Sequence, residues 1–138
     1  MNIVRISYKP DEDGENYGWL ELVIQAEGFA GAVGFWSHPD WFSDFAKHLN
    51  SFPISMPDSP EVTINATQDQ LQPTIYMKLE PVDAHGHLRL VVSLSDDQGT
   101  KNRVSLTAPA TYAWAQRFSQ ALQRLIVPPH APVEMEID

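Results

Sequence analysis

Cysteine is absent from the 138-residue chain, which excludes disulfide scaffolds and cysteine-ligated metal sites. Basic residues are scarce: nine Lys and Arg stand against 18 Asp and Glu, for a formal net charge of −9. They are scattered singly, so no basic stripe exists to collect phosphates, and direct binding to DNA or RNA is not expected. No segment approaches the ~20 apolar residues of a membrane helix. The first eight residues, Met-Asn-Ile-Val-Arg-Ile-Ser-Tyr, alternate like a strand and lack the long apolar run of a signal peptide. The expectation is a soluble, cytoplasmic protein that touches neither membrane nor nucleic acid.

Motifs of chemistry are missing as well. There is no Gly-x-Ser-x-Gly elbow for a serine nucleophile. There is no glycine-rich phosphate loop at a strand–helix junction, because Gly28, Gly31 and Gly34 fall in a hairpin. His85-Gly86-His87 with Asp83 brings ligand-type side chains together, but in a turn and without the His-Glu-x-x-His spacing that fixes zinc ligands on a helix. Asp11-Glu12-Asp13-Gly14 resembles the opening of a calcium loop and lacks the later ligands. No catalytic residue, metal site or cofactor is therefore assigned, and the chain is not expected to be an enzyme.

What is present is a strong pattern of apolar periodicity. Ser37 to Phe52 places Trp41, Phe42, Phe45, Ala46, Leu49 and Phe52 at helical spacing. Ser37 reads as the N-cap with Asp40 as a capping-box partner, Pro39 fits the first turn, and Pro53 ends the helix. Thr107 to Leu125 echoes it: Thr107-Ala108-Pro109 matches Ser37-His38-Pro39, and Trp114, Phe118, Leu122 and Leu125 match Trp41, Phe45, Leu49 and Phe52. Upstream, Leu20-Glu21-Leu22-Val23-Ile24 is echoed by Leu88-Arg89-Leu90-Val91-Val92. Each half reads as strand, strand, capped helix.

The strands alternate with period two. Val4, Ile6 and Tyr8 share a face, as do Leu20, Leu22, Ile24 and Ala26, and Leu88, Leu90, Val92 and Leu94. Phe29 to Trp36 returns from a Glu27-Gly28 turn and is rich in Gly and Ala, which marks close approach by another element, a helix lying across the sheet being the expected visitor. Pro53 to Pro60 links the halves. Val133 to Asp138 alternates strictly, so the tail at 129–138 is either an edge strand or a frayed acidic end.

The expected fold is one α+β domain over residues 1–138: an antiparallel sheet of about six or seven strands, with two helices on one face, in two quasi-duplicate β-β-α halves. The expected core is Val4, Ile6, Leu20, Leu22, Ile24, Trp41, Phe45, Leu49, Leu88, Leu90, Val92, Trp114, Phe118 and Leu122. Trp19 and Trp36 lie on strand faces of unassigned burial and form a contact patch if that face is open.

Taken in order, Trp19-Leu20-Glu21-Leu22-Val23-Ile24, Glu27-Gly28-Phe29, the helix through Phe45-Ala46 and Leu49, Leu88-Arg89-Leu90-Val91-Val92 and the helix from Phe118 to Leu125 resemble the WapI-type immunity proteins. The resemblance runs from about Trp19 to Ile126. It implies a non-enzymatic bacterial protein that binds and neutralises a cognate secreted toxin, and it offers no catalytic residues. An acidic chain suits a basic protein partner. The carboxylates concentrated on loops, Asp11, Glu12, Asp13 and Glu15 with Asp96 and Asp97, are the candidate partner-binding residues for a basic toxin domain. The alternative is a small-molecule-binding domain or adaptor that uses the sheet face away from the helices.

Overall fold

Alternation in the sequence becomes alternation of faces along each strand, but the strands divide between two sheets. The computed structural model describes residues 2–11, 17–64, 75–95 and 103–137. In chain order the elements are β1 (Asn2–Pro10), β2 (Gly18–Ala26), β3 (Phe29–Ser37), α1 (Ser43–His48), β4 (Glu61–Ile64), β5 (Ile75–Pro81), β6 (Leu88–Ser95), β7 (Arg103–Ala110), α2 (Tyr112–Ile126) and β8 (Val133–Ile137). Among the described residues there are two four-stranded antiparallel sheets, ordered β3-β2-β1-β8 and β4-β5-β6-β7. The expected single sheet of six or seven strands is therefore corrected to two sheets of four.

The duplication is more complete than strand, strand, helix. Each half runs strand, strand, strand, helix, strand, and its last strand joins the sheet of the other half. β4 follows α1 and pairs with β5; β8 follows α2 and pairs with β1, Val4 opposite Met135 and Ile6 opposite Val133. The C-terminal segment is thus the strand alternative rather than a frayed end, because the free edge of β1 supplies its backbone partners.

Inward-facing side chains of both sheets and the two helices form one continuous core. Val4, Ile6, Leu20 and Leu22 of the first sheet and Ile75, Met77, Leu79 and Leu90 of the second are buried. Phe45 of α1 meets Phe118 of α2 edge-to-face at 6.2 Å, and Phe118 lies 4.8 Å from Trp114. The helices cross where side chains are small, at Ala46, Ala115 and Ser119, all buried. The Ser119 hydroxyl donates to the Ala46 carbonyl and accepts from Asn50 Nδ2 at 3.0 Å and Gln123 Nε2 at 3.1 Å. A buried hydroxyl is tolerated because its bonds are made.

The helix starts differ from expectation. Ser37 ends β3, opposite Gly18, and makes no cap. Pro39–Phe42 is a 3-10 turn, and α1 has only six residues before turn bonds from Asn50 N to Lys47 O and from Ser51 N to His48 O close it. A 3-10 turn advances 120° per residue rather than 100°, so Trp41 is rotated off the buried stripe. It is corrected from core residue to surface residue, and Phe52, beyond the helix, is exposed. In the second half Thr107 and Pro109 belong to β7, and the cap is Thr111, whose Oγ1 accepts from Trp114 N at 3.1 Å. The other thirteen expected core residues are buried.

The glycines of β3 also have different visitors from the expected helix. Gly31 faces Val104 of β7, with a Cβ there 3.1 Å from the Val104 Cβ, and Gly34 lies under Trp19 on the opposite face. Burial separates Phe45 from Trp41 energetically. Phe45→Ala should cost about 3–5 kcal/mol in urea melts, whereas Trp41→Ala should cost less than about 1 kcal/mol; comparable losses would put Trp41 back in the core.

Candidate functional site

A two-residue turn at Glu27-Gly28, with Gly28 at φ 78°, fixes the register of β2 on β3. That register sets Trp19 opposite Trp36 and Gly18 opposite Ser37. Both tryptophans project from the outer face of the first sheet, away from Leu20, Leu22 and Phe35. The rings meet edge-to-face, centroids 5.6 Å apart at 78°. One step beyond the ladder, Tyr17 and His38 make a second edge-to-face pair at 4.3 Å, and His38 lies 6.0 Å from Trp41. Two ring groups, Trp19–Trp36 and Tyr17–His38–Trp41, thus stand at the same end of the β2–β3 pair. Tyr17 is 43 % exposed, Trp19 37 %, Trp36 52 % and Trp41 41 %. Such a cluster is uncommon on a water-facing surface, which makes this end of the sheet the candidate site.

The Trp19 indole is held in place. Trp19 Nε1 donates to Glu21 Oε1 at 2.8 Å. Its indole lies flat across β3 because position 34 has no side chain: a Cβ there would sit 2.8 Å from Trp19 Cζ2. The surroundings are acidic. Asp40 and Asp44 are exposed in and just after the turn that carries Trp41. Burial, then the nearby carboxylates of Asp40 and Asp11, push the Tyr8 hydroxyl above its ordinary pKa, so both carboxylates lie toward the same end of β1.

Of the carboxylates expected to bind a partner, Asp11 is exposed at the exit of β1, where its backbone N–H donates to Tyr17 O at 2.9 Å. This bond ties the ends of the acidic loop to the aromatic cluster. Glu12, Asp13, Glu15, Asp96 and Asp97 lie outside the described residues. Trp19 and Trp36 are brought together as the sequence allowed. Tyr17, His38 and Trp41 were missed, although parity carried a signal for two of them: Tyr17 is two residues before Trp19, and His38 two after Trp36.

Other groups are engaged locally. Asp83 accepts from His87 Nδ1 at 2.6 Å and from His85 N at 2.7 Å, which holds the β5–β6 turn and lowers the Asp83 pKa, chiefly through the His87 bond. Among the described residues no three His, Cys, Asp or Glu cluster as a metal site. The outer face of the second sheet is a matched polar surface. Glu80 accepts from Arg89 Nη2 at 2.6 Å and lies 3.6 Å from Lys78 Nζ; Tyr76 OH donates to Glu61 Oε2 at 2.7 Å. A groove of about 540 Å³ between α2 and β8 carries both signs of charge, Arg117 and Arg124 facing Glu134 and Glu136.

No family model and no curated protein matches the chain. Among solved structures it is similar to WHY1 from Arabidopsis thaliana, with a TM-score of 0.49 and 13 % identity over 90 % of this chain and 80 % of that one. A likeness at that level bears on no property of the site. Among the described residues no helix is long and apolar enough to cross a membrane.

Two outcomes are expected. Gly34→Ala should displace the Trp19 indole, changing tryptophan fluorescence and near-ultraviolet dichroism far more than Tm; unchanged spectra would mean the indole does not rest on position 34. Desolvation and the bond to Glu61 raise the Tyr76 pKa from 10.0 to about 12. Its neutral form is therefore favoured by folding, and that contribution is complete below pH 10, then lost as pH rises through about 12. Tyr76→Phe should flatten the stability profile in that window, read by urea midpoints against pH.

Proposed function

We propose that the protein is a non-enzymatic binding module that docks a basic protein partner on the aromatic end of its first sheet. The observation that carries this reading is the gathering of Tyr17, Trp19, Trp36, His38 and Trp41 at one end of the β2–β3 pair. Exposed tryptophans held rigidly by neighbours lose little entropy on docking and dominate binding energy at protein interfaces. The edge-to-face packing of Trp19 on Trp36 leaves no parallel slot for a small planar ligand, which favours docking of a surface over capture of a small molecule.

Charge supplies the partner's sign. The chain carries a net charge of −9, and Asp11, the first residue of the acidic run Asp11 to Glu15, is bonded to Tyr17. Carboxylates at the rim steer encounter, and the apolar rings then hold the complex. In its specific form the proposal is an immunity-type protein that neutralises a basic secreted toxin domain, the candidate for which is the polypeptide encoded beside its gene.

Titrating that polypeptide against the protein tests the reading. Trp41→Ala should weaken the complex by about 2 kcal/mol or more, with Tm unchanged. Replacing Asp11, Glu12, Asp13 and Glu15 by their amides should slow association at low salt and leave dissociation unchanged. Retention of full affinity by both Trp41→Ala and Trp36→Ala would remove the aromatic face from consideration.

A further inference from the structure

Edge strands present unpaired backbone groups, and folded proteins guard them by short length, charge, proline or cover. Three of the four edges here are guarded in these ways. α2 packs along β8, with Trp114 Nε1 donating to Glu136 O at 2.8 Å, and β8 also carries Glu134 and Glu136. β4 is only four residues long and begins with Glu61. β7 contains Arg103 and Pro109. β3 has no such guard. Its nine residues, Phe29-Ala30-Gly31-Ala32-Val33-Gly34-Phe35-Trp36-Ser37, include no charge and no proline, and its outer side has no strand partner among the described residues.

We infer that β3 is the interface of a symmetric homodimer, pairing antiparallel with β3 of a second copy about a two-fold axis at Val33. The strand is self-complementary in size. Its first half is small (Ala30, Gly31, Ala32) and its second half bulky (Phe35, Trp36). Pairing about Val33 sets Trp36 against Ala30 of the second copy, and Phe35 against Gly31, so each large side chain meets a small one. Two chains of net charge −9 repel overall, but β3 brings no charged side chain against its own image, which makes it the edge that a second copy can approach. Phe29 is 67 % exposed and Trp36 52 %. Covering parts of four such rings, each ~150–250 Å² in full, along two strand edges about 30 Å long, approaches the roughly 1,000 Å² of a specific interface. The first sheets of the two copies then join into one, with the Trp19–Trp36 rows of both copies on a single face.

Sedimentation equilibrium of the whole chain at micromolar concentration should show a dimer that tightens as salt screens the net charge. In the paired register Ala32 lies diagonal to its own image, about 7–8 Å away. Ala32→Lys and Ala32→Glu should each weaken the dimer at least tenfold, and mixing the two variants should restore it as a heterodimer, a result that misfolded variants could not give. Val33 faces itself at a Cα separation of about 4.5–5.5 Å, inside the disulfide range of about 4.4–6.8 Å. Because the chain has no native cysteine, Val33→Cys should give a covalent dimer on oxidation, whereas Ala30→Cys, set against Trp36, should not. A chain that stays monomeric at all salt concentrations, or a dimer indifferent to Ala32→Lys, would overturn the inference. So would protection of β3 only by an added basic peptide whose binding weakens with salt, which would make a foreign strand the occupant. Trp36 belongs to both surfaces and Trp41, which lies outside β3, to the docking surface alone, so a chain that stays monomeric yet loses its partner on Trp41→Ala sinks the dimer alone.

Discussion

The pairing of β8 with β1 is the constraint on which the remaining structure depends. It joins the last described strand of the chain to the first, with Asn2 opposite Ile137. Without it, β1 would expose a second free edge, and Val133 and Ile137 would leave the core. Because α2 immediately precedes β8, the same pairing fixes where α2 lies, and the bond from Trp114 Nε1 to Glu136 O locks the two together. α2 in turn positions α1 through Phe45, Phe118 and the Ser119 hydroxyl. The equivalent pairing of β4 with β5 is local in sequence, so the two halves are alike in architecture but close over very different chain lengths. Closing the longer loop costs more chain entropy, although that cost grows only slowly with length.

Placing the helices and both inner sheet faces in one core leaves two outer faces, which differ at the end of β2 and β3 that carries the tryptophans. On the second sheet, Glu80, Arg89, Lys78, Tyr76 and Glu61 satisfy one another at the surface. Such pairs add little stability in water, and they make a surface with no unmet demand. On the first sheet the rings and small residues gather on β2 and β3, where Trp19 donates to Glu21, while Arg5 of β1 and Glu134 of β8 lie 3.6 Å apart on the same face. The contrast, within one fold built twice, supports the proposed docking on the first sheet. Asp11 is bonded to Tyr17 beside those rings, so one exposed carboxylate and the apolar contact lie at the same end of the molecule.

What the sequence determined by itself was local and periodic. Period-two alternation identified strand faces, and helical spacing identified Phe45, Leu49, Trp114, Phe118 and Leu122 as core, because burial selects apolar side chains at the repeat of the backbone. The Glu27-Gly28 turn also carried enough to put Trp19 beside Trp36. What only the tertiary structure decided was long-range. Whether the strands form one sheet or two depends on which edges meet, and identical alternation serves either arrangement. The place of Trp41 turned on a 3-10 turn in place of an α-helical one, a difference of about 20° per residue that propensities do not resolve. The openness of the tryptophan face was undetermined for the same reason: alternation names two faces, and only the packing of the other sheet and the helices selects which of them meets water.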